Sequence, residues 1–281
     1  MSAPPGVNWT ARTSGTSNDL YGVAHGGGLF VAVGEWGTIL TSPDGAIWTS
    51  QNSGTNRYLY SVAYGNGTFV AVGDGLIILT SPDGVSWTTR YSGTSNYLKG
   101  VAYGDGGGLF VAVGGGGIIL TSSDGMSWTS QNSGTNSYLY SVAYGNGTFV
   151  AVGSGGTILT SPDGVSWTAR TSGTTNSLEG VTYGNGTFVA VGYNGTILTS
   201  SDGVNWTSRT SGTSTDLLSV AYGDGGGLFV AVGYGGTILT SPDGVNWTAR
   251  TSGTVYSLLD VAYGNSTFVA VGWNGTILTS P

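Results

Sequence analysis

The chain has 281 residues, a formal net charge of −7, 53 glycines and no cysteine, and charged residues make up only 7% of it against the usual quarter or so. That acidity argues against the basic patch that nucleic acid requires. The lack of cysteine rules out disulfides, thiolate chemistry and sulfur-ligated metals, and no apolar stretch approaches the ~20 residues of a membrane span. With 39% apolar residues, gathered in short regular runs, the chain has the material of a core.

In chain order, Met1–Pro5 lacks the form of a signal peptide, and the first element is the apolar-polar run "PGVNWTARTS" ending at Ser14. From there one unit recurs. Its tryptophans are Trp9, Trp48, Trp87, Trp128, Trp167, Trp206 and Trp247, at steps of 39, 39, 41, 39, 39 and 41 residues. The two longer steps carry "YGDGGGLF" in place of "YGNGTF". Residues 59–93 show the four pieces: "LYSVAY" closed by "GNG", "TFVAVG" closed by glycine-rich residues, "LIILTS" closed by "PDG", and "VSWTTR" closed by "YSGT". Each run is about six residues long, β-branched or aromatic, and bounded by turn residues, which is the signature of a strand. The second is apolar throughout, as a strand buried on both faces requires. Asn-Gly and Gly-Gly predict two-residue hairpins with positive φ at both central positions. Ser-Pro-Asp-Gly has the composition of a type I turn.

A four-stranded unit of ~40 residues, repeated, predicts a β-propeller. The chain opens on a fourth strand without the first three. It closes on "LLDVAY", "TFVAVG" and "GTILTSP", three strands without the fourth. The expectation is therefore all-β: a single seven-bladed propeller over 1–281, with four antiparallel strands per blade. Residues 1–16 complete the last blade, which removes the open sheet edges at the join.

The phrase "SPDGVSWT" at 81–88, repeated with small changes in five other blades, resembles the Asp-box of the bacterial neuraminidase repeats. It is one residue shorter between Asp and Trp than that family's Ser-x-Asp-x-Gly-x-Thr-Trp. The stretch "GTILTSPDG" is also similar to repeats of photosystem-assembly propellers. The Asp-box resemblance implies a structural turn rather than a catalytic element, so Asp44, Asp83, Asp124, Asp163, Asp202 and Asp243 are expected to accept backbone N–H groups within their turns.

Sialidase chemistry, which some Asp-box proteins carry, needs converging arginines, a tyrosine–glutamate pair and an acid. Arg12, Arg90, Arg170, Arg209 and Arg250, with Gln51 and Gln131 at the equivalent place, all stand on the outermost strand. There they diverge around the ring and lie along the sheet edge. His25, the only histidine, replaces the tyrosine of "VAYG" and reads as a tolerated substitution. Glu35 and Glu179 fall in blades far apart. With no collection of unlike groups apparent, neither an enzyme nor a cofactor or metal is expected.

The variation between repeats points elsewhere. The third–fourth turn hardly changes, whereas the second–third turn and the blade-to-blade crossing change in every blade, and in a propeller those two lie on the same face. The changes bring in Trp36, Tyr193, Tyr234 and Trp273 at turn tips, and Tyr58, Tyr97 and Tyr138 at crossings. Aromatics beside small polar groups suit sugar rings. The expected function is a non-catalytic, monomeric, lectin-like propeller that gains avidity from several weak glycan sites, with an extracellular place favoured. The alternative is a protein-interaction scaffold with a protein partner, or a repeat protein without a small-molecule ligand.

Overall fold

The computed structural model describes residues 4–281; residues 1–3, part of the segment expected to complete the last blade, lie outside them. Seven four-stranded antiparallel sheets follow one another around a ring. In the first blade the strands are Leu20–Gly26, Leu29–Gly34, Ile39–Ser42 and Thr49–Gln51, from the channel outward. The inner strands of later blades begin at Leu59, Leu98, Leu139, Leu178, Leu217 and Leu258. The inner strand of the seventh blade packs beside that of the first, so the ring is closed.

The second strand of each unit is buried along almost its whole length, as its unbroken apolar sequence requires. The core lies between blades rather than within them. Leu178, Val181, Phe188, Ala190 and Leu198 of blade five meet Val150, Val152 and Ile158 of blade four, and an equivalent cluster stands at each of the seven junctions. The phenylalanine of every second strand is shielded from solvent. The repeat tryptophan caps the cluster from outside: it is half-buried, immediately before the outer strand, and its Nε1 donates to the carbonyl of the turn glycine three residues back, as Trp48 does to Gly45 at 2.8 Å. It seals the rim of each junction and does not enter the centre.

The chain ends form the seventh blade jointly. Thr10–Arg12 pairs antiparallel with Ile277–Ser280. The turn that is continuous elsewhere is rebuilt across the break. Ser42 Oγ accepts the Gly45 N–H at 2.8 Å in blade one, and Ser280 Oγ accepts the Gly6 N–H at 2.8 Å in blade seven. Trp9 Nε1 then donates to the Gly6 carbonyl at 3.0 Å.

Candidate functional site

The two variable loops of each blade are tied together. The N–H that opens the second–third turn donates to the carbonyl of the residue before the inner-strand leucine: Glu35 to Asp19, Asp74 to Tyr58, Tyr193 to Ser177, and Tyr234 to Asp216. The glycine before that N–H has no alternative, since a Cβ on Gly73 would overlap the Tyr58 carbonyl oxygen. This face is pre-organised by its backbone.

The residue after the inner-strand leucine is a β-bulge in every blade. In blade one Leu20 pairs with Gly34 and Gly22 with Val33, leaving Tyr21 outside the ladder; the same slip recurs in the other six. A bulge re-aims its side chain, and here the seven side chains meet at the mouth of the central channel. They are Tyr21, Tyr60, Lys99, Tyr140, Glu179, Leu218 and Leu259, and all but Leu218 and Leu259 are aromatic or charged. Together with Tyr234, Trp273 and the residues beneath, they line a cavity of ≈ 380 Å³. Unlike groups are thus collected on the channel axis, contrary to the expectation from spacing. Glu35 and Glu179, distant in sequence, belong to one mouth through Tyr21, whose hydroxyl donates to Glu35 Oε1 at 3.3 Å.

The rim residues expected from the sequence fall around this mouth in separate groups. Trp36 meets Tyr58 edge-on at 5.2 Å, and Tyr58 continues to Tyr21 at 6.1 Å and on to Tyr60 at 5.4 Å. Tyr97 stands 6.5 Å from Tyr60, Tyr138 stacks on Tyr140 at 6.4 Å, and Tyr234 lies 5.8 Å from Trp273. The charge of Glu179 foremost, then burial, raises the pKa of the Tyr193 hydroxyl. Trp36 differs from the other turn-tip aromatics. It occupies the left-handed position of its turn, at φ 54°, where Asn or Gly stands in the other short turns of this form, and it is 60% exposed.

Beneath the bulges runs a second ring: Gly22, Ser61, Gly100, Ser141, Gly180, Ser219 and Asp260. Ser61 Oγ accepts the Val101 N–H of the next blade at 3.3 Å, and Ser141 Oγ that of Val181 at 3.4 Å. Asp260 does the same for Val23 at 2.8 Å and also accepts the Ser219 hydroxyl at 2.6 Å. Its position deep in the channel pushes its pKa up to about 6, against the pull of those hydrogen bonds. Burial and the nearby Asp216 push Glu179 up to about 7, with Lys99 opposing. Burial lowers the Lys99 pKa, partly offset by Asp74 and Glu179, and its Nζ sits 3.3 Å from the Tyr60 ring centroid.

The aspartates of the repeated phrase lie on the opposite face. Asp44 Oδ1 accepts the Ala46 and Ile47 N–H groups at 2.8 and 3.1 Å and the Ser42 hydroxyl at 3.1 Å. Asp124 accepts the Met126 and Ser127 N–H groups in the same way, as do Asp83, Asp163, Asp202 and Asp243 in their turns. These donors hold the carboxyls below their usual range, Asp83 and Asp163 at about 2. The outer-strand arginines lie along the sheet, each donating from Nε to a third-strand threonine: Arg12 to Thr279, Arg90 to Thr80, Arg170 to Thr160, Arg209 to Thr199 and Arg250 to Thr240. Gln51 and Gln131 make the same bond to Thr41 and Thr121. His25 packs on Phe30 at 4.6 Å, as Tyr64 does on Phe69. Among the described residues no group of three or more His, Cys, Asp or Glu side chains is placed to hold a metal.

Fold and site together define a seven-bladed β-propeller with an asymmetric channel mouth. A similar propeller fold is found in YCF48 bound to D1 peptide, at 18% identity and TM-score 0.79 over 100% of this chain and 99% of that one. It is also found in a catalytically inactive virginiamycin B lyase variant from Staphylococcus aureus with quinupristin, at 11% identity and TM-score 0.86 over 97% and 98%. The WD40 propeller domain of Doa1 is similar at 13% identity and TM-score 0.80 over 98% and 97%. At these identities the likeness is one of fold. No protein-family profile and no curated protein sequence matches the chain.

Proposed function

We propose that the protein is a non-catalytic interaction scaffold that takes a polypeptide segment across its channel mouth. The observation that carries this is the ring of bulges, which directs unlike side chains from seven near-identical blades into one cavity. The rim aromatics differ in residue, position and exposure, and so make one composite surface. A composite surface suits one irregular partner better than seven equal sugars. The fold's occurrence in a propeller bound to a peptide supports the same reading.

Glycan binding is the second reading, favoured by the exposed Trp36 in its left-handed turn and by Trp273 at another tip. A sialidase-like reaction is poorly supported. Tyr21 and Glu35 do pair, but burial and that carboxylate raise the tyrosine pKa, which weakens it as a nucleophile, and the repeat arginines are held on the outer edge. We take the Asp-box resemblance as one of turn geometry alone.

The test is selection from a random displayed-peptide library, run beside a glycan array, with wild type and a Tyr60→Ala/Tyr234→Ala variant checked for folding by circular dichroism. Peptide enrichment lost in the variant supports the scaffold. Glycan binding without peptide enrichment, abolished by replacing Trp36 and Trp273, overturns it in favour of the lectin.

A further inference from the structure

The chain carries acids on both faces of the ring, the repeated-phrase aspartates on one and a second group at the mouth. Asp19, Glu35, Asp74, Glu179, Asp216 and Asp260 surround the mouth or line it, while the bases there are Lys99 and Arg57. The mouth is therefore acidic as well as aromatic. Five of its six acids are satisfied within the chain. Asp19 accepts the Asn274 N–H, Glu35 the Asp19 N–H and the Tyr21 hydroxyl, and Asp74 the Tyr60 hydroxyl. Asp216 accepts the Asn194 N–H, and Asp260 the groups already described. Glu179 is the exception: its Oε1 is shielded from solvent and no donor reaches it. A carboxylate oxygen held out of water without a donor is costly, and the Glu179 side chain lines the cavity beside Tyr140 and Tyr234.

We infer that Glu179, with Tyr140 and Tyr234, forms a pocket for the ammonium of a lysine side chain on a basic polypeptide partner. Aromatic faces attract an ammonium through the ring quadrupole, more strongly when it is desolvated, and the carboxylate supplies the charge-assisted hydrogen bond. The mouth already shows half of this chemistry internally, in Lys99 over Tyr60. Lys99 is two blades from Glu179 and lies against Tyr60 near Asp74, so it leaves the Glu179 side of the cavity acidic. The groups facing Glu179 are Asp216, Lys99, Tyr140, Tyr193 and Tyr234. Asp260, with a pKa raised to about 6, lines the same cavity, and Glu179, raised to about 7, gains charge between pH 6 and 8, so pairing with a cation becomes stronger as the solution becomes more alkaline.

This inference rests on the scaffold reading and specifies its partner. The probe is a fluorescein-labelled twelve-residue peptide of alternating Lys and Ser, compared by anisotropy with Glu/Ser and Asn/Ser peptides of equal length. The variants are Glu179→Gln and Asp224→Asn, which change net charge equally, the second on the opposite face. The expected result is preference for the lysine peptide, weakened about tenfold or more by Glu179→Gln and little by Asp224→Asn, with wild-type binding tightening from pH 6 to 8. Equal losses in both variants, or wild-type affinity independent of pH, would show nonspecific charge attraction and overturn the inference. Preference for the Asn/Ser or Glu/Ser peptide, lost in the Tyr60→Ala/Tyr234→Ala variant, overturns the lysine pocket while leaving the scaffold standing.

Discussion

Asp260 offers the sharpest check on how the channel is built. Its carboxylate sits where the other blades place Gly or Ser, and the environment pushes its pKa up to about 6 from an ordinary 3.8. An acid whose folded pKa is raised costs nothing while protonated in both states. Its penalty grows as the solution passes from pH 4 to 6 and is complete above that. At 1.36 kcal/mol per unit, the penalty is at most about 3 kcal/mol, and channel water that reaches the carboxylate reduces it. Asp260→Ser restores the residue that Ser61 and Ser141 provide, removes the charge and keeps an acceptor for the Val23 N–H. The variant is expected to be more stable than wild type by about 1–3 kcal/mol at pH 7, a rise in Tm of roughly 2–5 °C for a chain of this length. The advantage should shrink toward pH 4. The assay is chemical denaturation of both proteins at pH 4, 5, 6 and 7, read as the difference between them, so that the titration of groups common to both largely cancels. A variant no more stable at pH 7, or a gap that does not change with pH, would refute the reasoning.

Three further outcomes are expected. Phe188→Ala removes a fully shielded ring from one junction and should cost about 3–5 kcal/mol in denaturant unfolding, with Phe149→Ala costing a similar amount because the junctions are equivalent. Ser122→Ala leaves the buried Gly125 N–H without its acceptor and should cost about 1–3 kcal/mol by the same measurement. Trp36→Asn places at the left-handed turn position the residue found in blades five and seven; it should raise stability by roughly 1 kcal/mol while weakening any ligand held at that edge, seen as a higher Tm with lower affinity.

Most of the architecture was legible because the repeat writes it seven times. Gly and Asn-Gly at fixed intervals leave little choice of turn, and the unbroken apolar "TFVAVG" has no stable place except between two covered faces. The complementary chain ends, Gly6 to Trp9 and Ile277 to Ser280, gave the closure. The site was legible only at its rim. Tyr58, Tyr97 and Tyr138 were visible as loop changes, but Tyr21, Tyr60, Lys99, Tyr140 and Glu179 lie inside a strand pattern, where alternation would turn them into an ordinary sheet face. The bulge after the leucine is a feature of pairing, and a single strand's sequence does not show pairing. The available clue was chemical: the position after that leucine reads Tyr, Tyr, Lys, Tyr, Glu, Leu, Leu, while the leucine before it is invariant and the residue after it is always small or, once, Asp. Distance along the chain misled as well, since the inner strands of all seven blades converge on one axis.

The ring beneath the bulges has a consequence in parity. Glycine and serine alternate from Gly22 to Ser219, and the junctions differ with them: Ser61 and Ser141 reach the next valine N–H, whereas a Cβ added to a glycine of the ring would press on the following serine backbone, as at Gly22 against Ser61. Two states cannot alternate around an odd-numbered circle. One member must stand out of sequence, as in a frustrated ring of spins, and here it is Asp260, on the inner strand of the blade that the two chain ends complete. A ring of six or eight such blades could complete the alternation without that charge. Adding or removing one blade would therefore change more than the circumference, because the alternation could then close without an odd member.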